Sequence, residues 1–359
     1  MHRAVARSVM RGITATRTCT SLCASTAAAA AVPAAPSMPL PLPLRRFSSA
    51  AASVPINSLD FPHLRIDPAA PRTFGRDYEH GRDVRDAPVL VLHGLLGSAI
   101  NWRTTAPKLT QRRRLLSLDV RNHGASPHTD DMRFSSCAAD VIALMDAKGI
   151  KHAVLLGHSL GGKIAMACAL LHPDRISGVV SVDMAPFRYE MGAEGWKGVR
   201  HIVAAAASVP LDQMRSRADV DAFLKPLIPD FTTRAFVLQS IVVDTSTDAN
   251  GERVQTVRWR CNLPALAAAL PGMAEFDPRL PSGDAPAPFK GPALFVGGGR
   301  SSYLTKHQQS AVLHYFPRAT NATVDAGHWV HVEKPAEFVA IVQPWLEKLE
   351  ALDGHGHAH

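Results

Sequence analysis

Gly157-His158-Ser159-Leu160-Gly161 stands between a short apolar run, His152–Leu156 (HAVLL), and a stretch rich in small residues, Leu160–Leu171 (LGGKIAMACALL). A serine with glycine two positions before and two after it, wedged between a strand and a helix, reads as a tight strand–turn–helix. The serine backbone is strained there, and only small neighbours let the helix close on the strand. Such a turn constrains the whole chain. The helix must cross back over the sheet, so the next strand runs parallel, and the serine projects from the carboxyl end of the sheet, where open α/β sheets bind ligands.

The rest of the sequence follows this rhythm. Pro88–His93 (PVLVLH), Leu115–Asp119, Ile176–Asp183 (ISGVVSVD), Pro292–Gly297 (PALFVG) and the alternating Ala319–Asp325 read as strands, and the continuous apolar runs suit strands buried on both faces. Helical stretches fall between or after them at Trp102–Thr110, Phe134–Lys148, Lys306–Tyr315 and Pro335–Leu349. The expected fold is α/β, a mostly parallel, doubly wound sheet with helices on both faces and its core in residues 59–186 and 290–350. Residues 187–289 break the pattern with helical segments (Gly195–Ala207, Arg217–Leu227, Thr233–Ile241), a polar hairpin-like stretch (Asp248–Arg260) and the proline-rich linker Pro281–Pro288. They read as a helical cap inserted over the strand ends. No internal repeat is visible.

Composition excludes several classes. With 46% hydrophobic and 19% charged residues the chain is not of the disordered type, and no apolar run of about 18 residues offers a membrane span. The net charge of +8 suggests nucleic acid until its distribution is read: six arginines and no acid lie in residues 1–50. Removing those six from the 39 Lys and Arg leaves 33 against 31 acids, a net of +2 for the remainder, with no basic footprint for a phosphate backbone. Residues 1–50, rich in Ala, Ser, Thr and Arg, have the composition of a mitochondrial transit peptide, and Arg45-Arg46-Phe47-Ser48-Ser49 resembles a presequence cleavage region. The expected compartment is the mitochondrion. Cys19, Cys23, Cys137, Cys168 and Cys261 form no CxxC pair and read as scattered thiols, and the histidine-rich tail, residues 351–359, reads as solvated, so no metal site is expected.

The set HGLLGS (His93–Ser98), DVRNHGAS (Asp119–Ser126), GHSLGGKIAM, SVDMAP, RWRCNL, GGGRSSY and AGHWVHVEKP resembles the α/β-hydrolase superfamily. More closely it is similar to the mitochondrial α/β-hydrolase-domain protein 11 group and related bacterial short-acyl esterases, over roughly residues 59–346. The resemblance implies a serine hydrolase that cleaves carboxylic esters or thioesters through an acyl-enzyme, with no cofactor, a mitochondrial matrix address, a small acyl substrate (lipids included) and a helical cap. One position departs: many members carry Asp within the stretch here written Asn262-Leu263-Pro264-Ala265-Leu266, and this chain has Pro264, so an acid there cannot be carried over.

On this fold Ser159 is the nucleophile, and the backbone N–H groups of Leu95 and Leu160 form the oxyanion hole. The base must come from the end of a late strand. His328 in Asp325-Ala326-Gly327-His328-Trp329 fits, with His331 the competitor, while His93, His123 and His158 read as structural hydrogen-bonding groups that support the site. Most such hydrolases draw the acid from the turn after the strand here at Pro292–Gly297, yet Gly298-Gly299-Arg300-Ser301-Ser302-Tyr303 holds no carboxylate. Some hydrolases with this fold draw the acid from the end of the preceding strand, where the resembling bacterial esterases match SVDMAP, so the resemblance implies Asp183 as the acid, with Ser301 as a helper hydroxyl and Asp325 as the rival. Two alternatives stay open on the sequence: an acyltransferase or lyase using the same residues, and a non-catalytic binding module on the same fold. An aspartate nucleophile is argued against by Ser159.

Overall fold

The computed structural model describes residues 53–61, 87–109 and 113–353. The expected leader over residues 1–50 and residues 354–359 of the tail lie outside the described residues. Nine strands are present among the described residues: β1 Ser58–Phe61, β2 Val89–Leu92, β3 Leu115–Leu118, β4 Ala153–His158, β5 Ile176–Val182, β6 Ile241–Thr247, β7 Arg253–Trp259, β8 Ala293–Gly298 and β9 Ala319–Val324. Seven form one sheet in the order β1-β3-β2-β4-β5-β8-β9, with β1 antiparallel to β3 and every other pair parallel. The short edge strand β1 has no counterpart among the strands expected from the sequence.

Why the strands are continuous apolar runs is visible in their packing. Leu90 and Leu92 of β2 enter one core with Leu116, Leu118, Leu155, Val179 and Phe295, whereas Val89 and Val91 enter another with Leu115, Val154, Leu156, Val180 and Val296. Alternate side chains point to opposite faces, and both faces are covered, so the buried positions of β2, β3, β5 and β8 are apolar apart from Ser117 and Ser181, whose hydroxyls donate to Ala99 O and Met184 O. The helices α1 (Phe134–Ala147) and α2 (Leu160–Leu171) pack on the first face; α9 (Pro335–Asp353) packs on the second through Phe338, Val342 and Leu346. Each fully buried Leu or Val is worth about 1.5–3 kcal/mol. In α2 all residues but Leu171 are buried, the pattern of a helix enclosed on all sides.

Between β5 and β8 the chain leaves the sheet and forms α3 (Glu194–Ala207), α4 (Arg217–Leu224), α5 (Phe231–Leu238), the antiparallel hairpin β6–β7 and α6 (Leu263–Ala274). Three expectations need correction. The helix expected over Trp102–Thr110 is instead two single 3-10 turns, Ala99–Trp102 and Ala106–Lys108, because Pro107 has no N–H to give Arg103 and the local bonds are of the i to i+3 kind (Thr105 N to Trp102 O, 3.1 Å). The helix expected to reach Ile241 stops at Leu238, and Ile241 already pairs with Trp259 as the first strand of the hairpin. Helix α6 was not expected; it carries Pro264 in its first turn, where the missing N–H costs nothing, and Pro271 in its interior. After α7 (Lys306–Tyr315) and β9, a short turn α8 (Val330–Glu333) precedes α9, which runs on to Asp353.

The chain order reverses between β2 and β4: β3 lies to one side of β2, and β4, the next strand in sequence, to the other. The carboxyl ends of these two strands flank the crevice where open α/β sheets take ligands.

Candidate active site

Ser159 sits at the end of β4 with φ +54°, in the left-handed region, and its N–H donates to Val182 O of the next strand (3.1 Å). Neither flanking glycine of the motif can be replaced without movement. A Cβ on Gly157 would lie 2.1 Å from Gly161 O, and one on Gly161 would lie 2.4 Å from Leu92 O and 2.7 Å from His93 O. The helix α2 is thus pressed onto both β4 and the end of β2. Its first amide, that of Leu160, is one of the N–H groups that a helix start leaves without an internal acceptor.

The loop after β2 supplies a second such group. Gly94 O accepts from Gly97 N (3.0 Å) and from His93 Nδ1 (2.8 Å), and a trans peptide points its N–H opposite to its carbonyl. The Leu95 N–H, in the same peptide as Gly94 O, therefore faces away from the turn. Among the described residues the amides of Leu96, Gly97, Ser98 and Ala99 have acceptors in the protein, and that of Leu95 has none.

Asp183 follows β5. It is wholly buried with φ +51°, and its N–H donates to Val296 O (2.8 Å). Three donors converge on its carboxylate: Gly298 N on Oδ1 (2.9 Å), and both Ser301 Oγ and His328 Nδ1 (2.7 Å) on Oδ2. With its Nδ1 held as a donor, the His328 ring keeps Nε2 as its acceptor nitrogen. Ser159, Leu95 and His328 line one cavity of about 280 Å³, whose walls include Val199, Ile202 and Val203 of α3 and Phe236 of α5. The inserted segment thus forms one side of the site. The structure brings Ser159, His328, Asp183, Leu95 and Ser301 to the carboxyl end of the sheet.

A model of the α/β hydrolase fold matches residues 87–335. The chain belongs to the α/β-hydrolase family. It is 35% identical over 263 residues to the mouse sn-1-specific diacylglycerol lipase ABHD11, covering 72% of this chain and 80% of that protein, and 32% identical to the esterase YbfF of Escherichia coli, covering 73% and 93%. Among solved structures it is similar to a marine microorganism esterase, with TM-score 0.68, 26% identity, and 81% and 99% of the two chains covered.

The neighbouring His331 and His158 are buried and have other contacts. His331 stacks on Trp102 (4.1 Å between rings) and burial pushes its pKa down to about 3. His158 is held neutral by burial and donates from Nε2 to the main-chain oxygen of His328 (2.9 Å), bracing the residue whose ring faces Asp183. Asp325 is exposed and paired with Arg300, and Pro264 is exposed and absent from the cavity lining.

Two residues escaped the reading of the sequence. Lys163 is buried in α2, donates to the carbonyls of Met273 (2.8 Å), Ala274 (3.0 Å) and Glu275 (2.8 Å) at the end of α6, and lies over the Tyr189 ring; burial lowers its pKa to about 7. A single lysine in an otherwise apolar helix was the available signal. Tyr303 packs its ring 4.4 Å from that of His328 and donates its hydroxyl to Gly195 O in α3 (2.8 Å), linking the imidazole to the inserted segment. Among the described residues no group of His, Cys, Asp or Glu could hold a metal ion, and no helix is long and apolar enough to cross a membrane.

Proposed function

We propose that this protein is a carboxylic ester hydrolase that works through an acyl-enzyme on Ser159. In this reading Ser159 Oγ attacks the acyl carbonyl while His328 Nε2 takes its proton. Asp183 holds the imidazole in the required tautomer and stabilises the imidazolium, and the Leu95 and Leu160 N–H groups receive the oxyanion. His328 then returns the proton to the leaving alcohol or thiol, and water attacks the acyl-enzyme by the reverse sequence of transfers. The observation that carries the reading is the hydrogen bond from His328 Nδ1 to the buried Asp183 carboxylate, at the rim of an apolar cavity shared with a left-handed Ser159.

The substrate is an acyl ester or thioester with an apolar acyl part. The cavity walls support this, as do the names of the relatives, which include diacylglycerol lipases and esterases. The basic leader supports a mitochondrial matrix address, which cleavage near residue 50 on import would test. For the chemistry, the test is a fluorophosphonate probe with turnover on ester and thioester panels from acetyl to palmitoyl. Labelling and turnover should both vanish in Ser159→Ala, and turnover surviving in that variant would reject the mechanism.

A further inference from the structure

We infer that His123 and Ser240 are positioning residues of the oxyanion loop: between them they clamp Leu96, and so hold the neighbouring Leu95 N–H on the oxyanion. The inference rests on the reading of Leu95 as an oxyanion donor. Leu96 has φ +62°, a left-handed conformation that costs a residue with a side chain about 1–2 kcal/mol. It persists because both of its polar main-chain groups are gripped. The Leu96 N–H donates to His123 Nε2 (3.2 Å), and its carbonyl accepts from Ser240 Oγ. His123 and Ser240 are both buried, at 0% and 5% exposure.

The grip on the first side is reciprocal. His123 Nδ1 donates to Arg121 O (2.9 Å), which fixes Nε2 as an acceptor, and His93 Nδ1 donates to Gly94 O, which fixes His93 Nε2 as the acceptor of Val120 N–H (3.0 Å). Each loop thus hands an amide to the histidine of the other, with the two rings edge to face at 5.0 Å. Burial keeps both imidazoles neutral. On the second side, Ser240 belongs to the inserted segment, between α5 and β6, and Asn262 of the same segment donates its N–H to Asn122 O (2.9 Å), beside His123. Because Leu95 lies between the fixed Gly94 carbonyl and the fixed Leu96 amide, its N–H has no freedom unless one grip fails. The inserted segment therefore shapes catalysis, as well as walling the cavity.

A displacement of about 1 Å in such a site can cost about 10²-fold in rate. His123→Leu should lower kcat about 10²-fold with KM within about threefold, and His123→Gln, whose amide oxygen can stand where Nε2 does, should recover most of the loss. Ser240→Ala should lower kcat about tenfold, and Ser240→Thr should restore it. A trifluoromethyl ketone, which forms a tetrahedral adduct, should lose affinity in step with kcat/KM across the series. Wild-type kcat in both His123→Leu and Ser240→Ala, or unchanged ketone affinity in variants with lowered kcat, would overturn the inference. If His123→Leu does not fold, the Ser240 pair and the ketone decide alone. Turnover surviving in Ser159→Ala would instead strike the underlying mechanism.

Discussion

Asp183→Asn isolates what the carboxylate does. In the native site every partner of the Asp183 carboxylate is a donor: Gly298 N–H on one oxygen, Ser301 and His328 on the other. An amide offers one acceptor and one donor, so it must choose. If its NH₂ faces Gly298, two donors meet and a buried N–H is left unpaired, at about 1–3 kcal/mol. If its NH₂ faces His328, Gly298 remains satisfied, the serine hydroxyl can rotate to accept, and only the imidazole tautomer must invert. The second arrangement keeps the hydrogen-bond count and is preferred. It places the proton on Nε2, where the lone pair is needed to accept from Ser159. Loss of kcat by about 10⁴ is expected, about 5.5 kcal/mol of transition-state stabilisation. The melting temperature should move by only a few degrees, since asparagine tolerates the left-handed backbone at this position and the packing is unchanged. Steady-state turnover of a p-nitrophenyl ester, paired with thermal unfolding, measures both. A kcat within tenfold of wild type in folded Asp183→Asn would refute the reasoning, as would a collapse of turnover in Asp325→Asn, whose exposed pair with Arg300 predicts near-native activity.

Three further outcomes follow from the same geometry. Gly157→Ala forces a Cβ to within 2.1 Å of Gly161 O, so main chain must move; activity should fall at least 10²-fold with a loss of roughly 2–4 kcal/mol in denaturant unfolding, and a variant with native kcat would contradict the close packing of β4 and α2. His123 and His331 have folded pKa values near 3 against about 6.5 unfolded, so between these limits the unfolded chain binds more protons and stability falls as pH falls, by about 1.4 kcal/mol per unit for each histidine. Urea unfolding should show a loss of several kcal/mol from pH 6.5 to 4.5, and equal stability at the two values would mean these rings are not held neutral. Lys163→Ala should cost about 3 kcal/mol, because it strips the donor from three carbonyls at the end of α6; thermal unfolding unchanged from wild type would show that the pin between α2 and α6 carries no weight.

The parts of this structure that are legible in the sequence are those set by local rules. The glycines of the Ser159 turn and the continuous apolar runs of β2, β4 and β5 follow from backbone sterics and burial on two faces, and they locate the carboxyl end of the sheet. That Asp183 lies where His328 can reach it is not a local property: the turn after β8 holds no carboxylate, and the pairing of β5 with β8 and of β8 with β9 brings the two residues together. Local rules misled where tertiary contacts override propensity. Prolines 264 and 271 hide α6, whose start is capped by Asn262 and whose end is held by a lysine a hundred residues earlier. Ile241-Val242-Val243 prolongs the apolar periodicity of α5, yet it pairs as a strand because Val257-Arg258-Trp259 lies across from it. The grip on Leu96 has no local signature at all, since Ser240 and His123 meet it only through the fold.

The inserted segment leaves the sheet after β5 and rejoins it at β8, and these two strands are hydrogen-bonded neighbours, Val182 beside Val296. Because the two strands are parallel, it leaves at Val182 and returns at Ala293, which lies beside Val179, so its two ends are roughly 10 Å apart along the strands and roughly 5 Å across them. The sheet closes the same way whatever lies between them, and doubling the length of such an excursion adds only about 0.6 kcal/mol of closure entropy. Diversification of what this enzyme accepts is therefore cheap, provided that whatever replaces the segment still meets Leu96 and Asn122. Diversification of the proposed chemistry is not, because Ser159 and Asp183 directly follow β4 and β5, whose backbones brace one another. A scaffold built in this way can change its diet without relearning its chemistry.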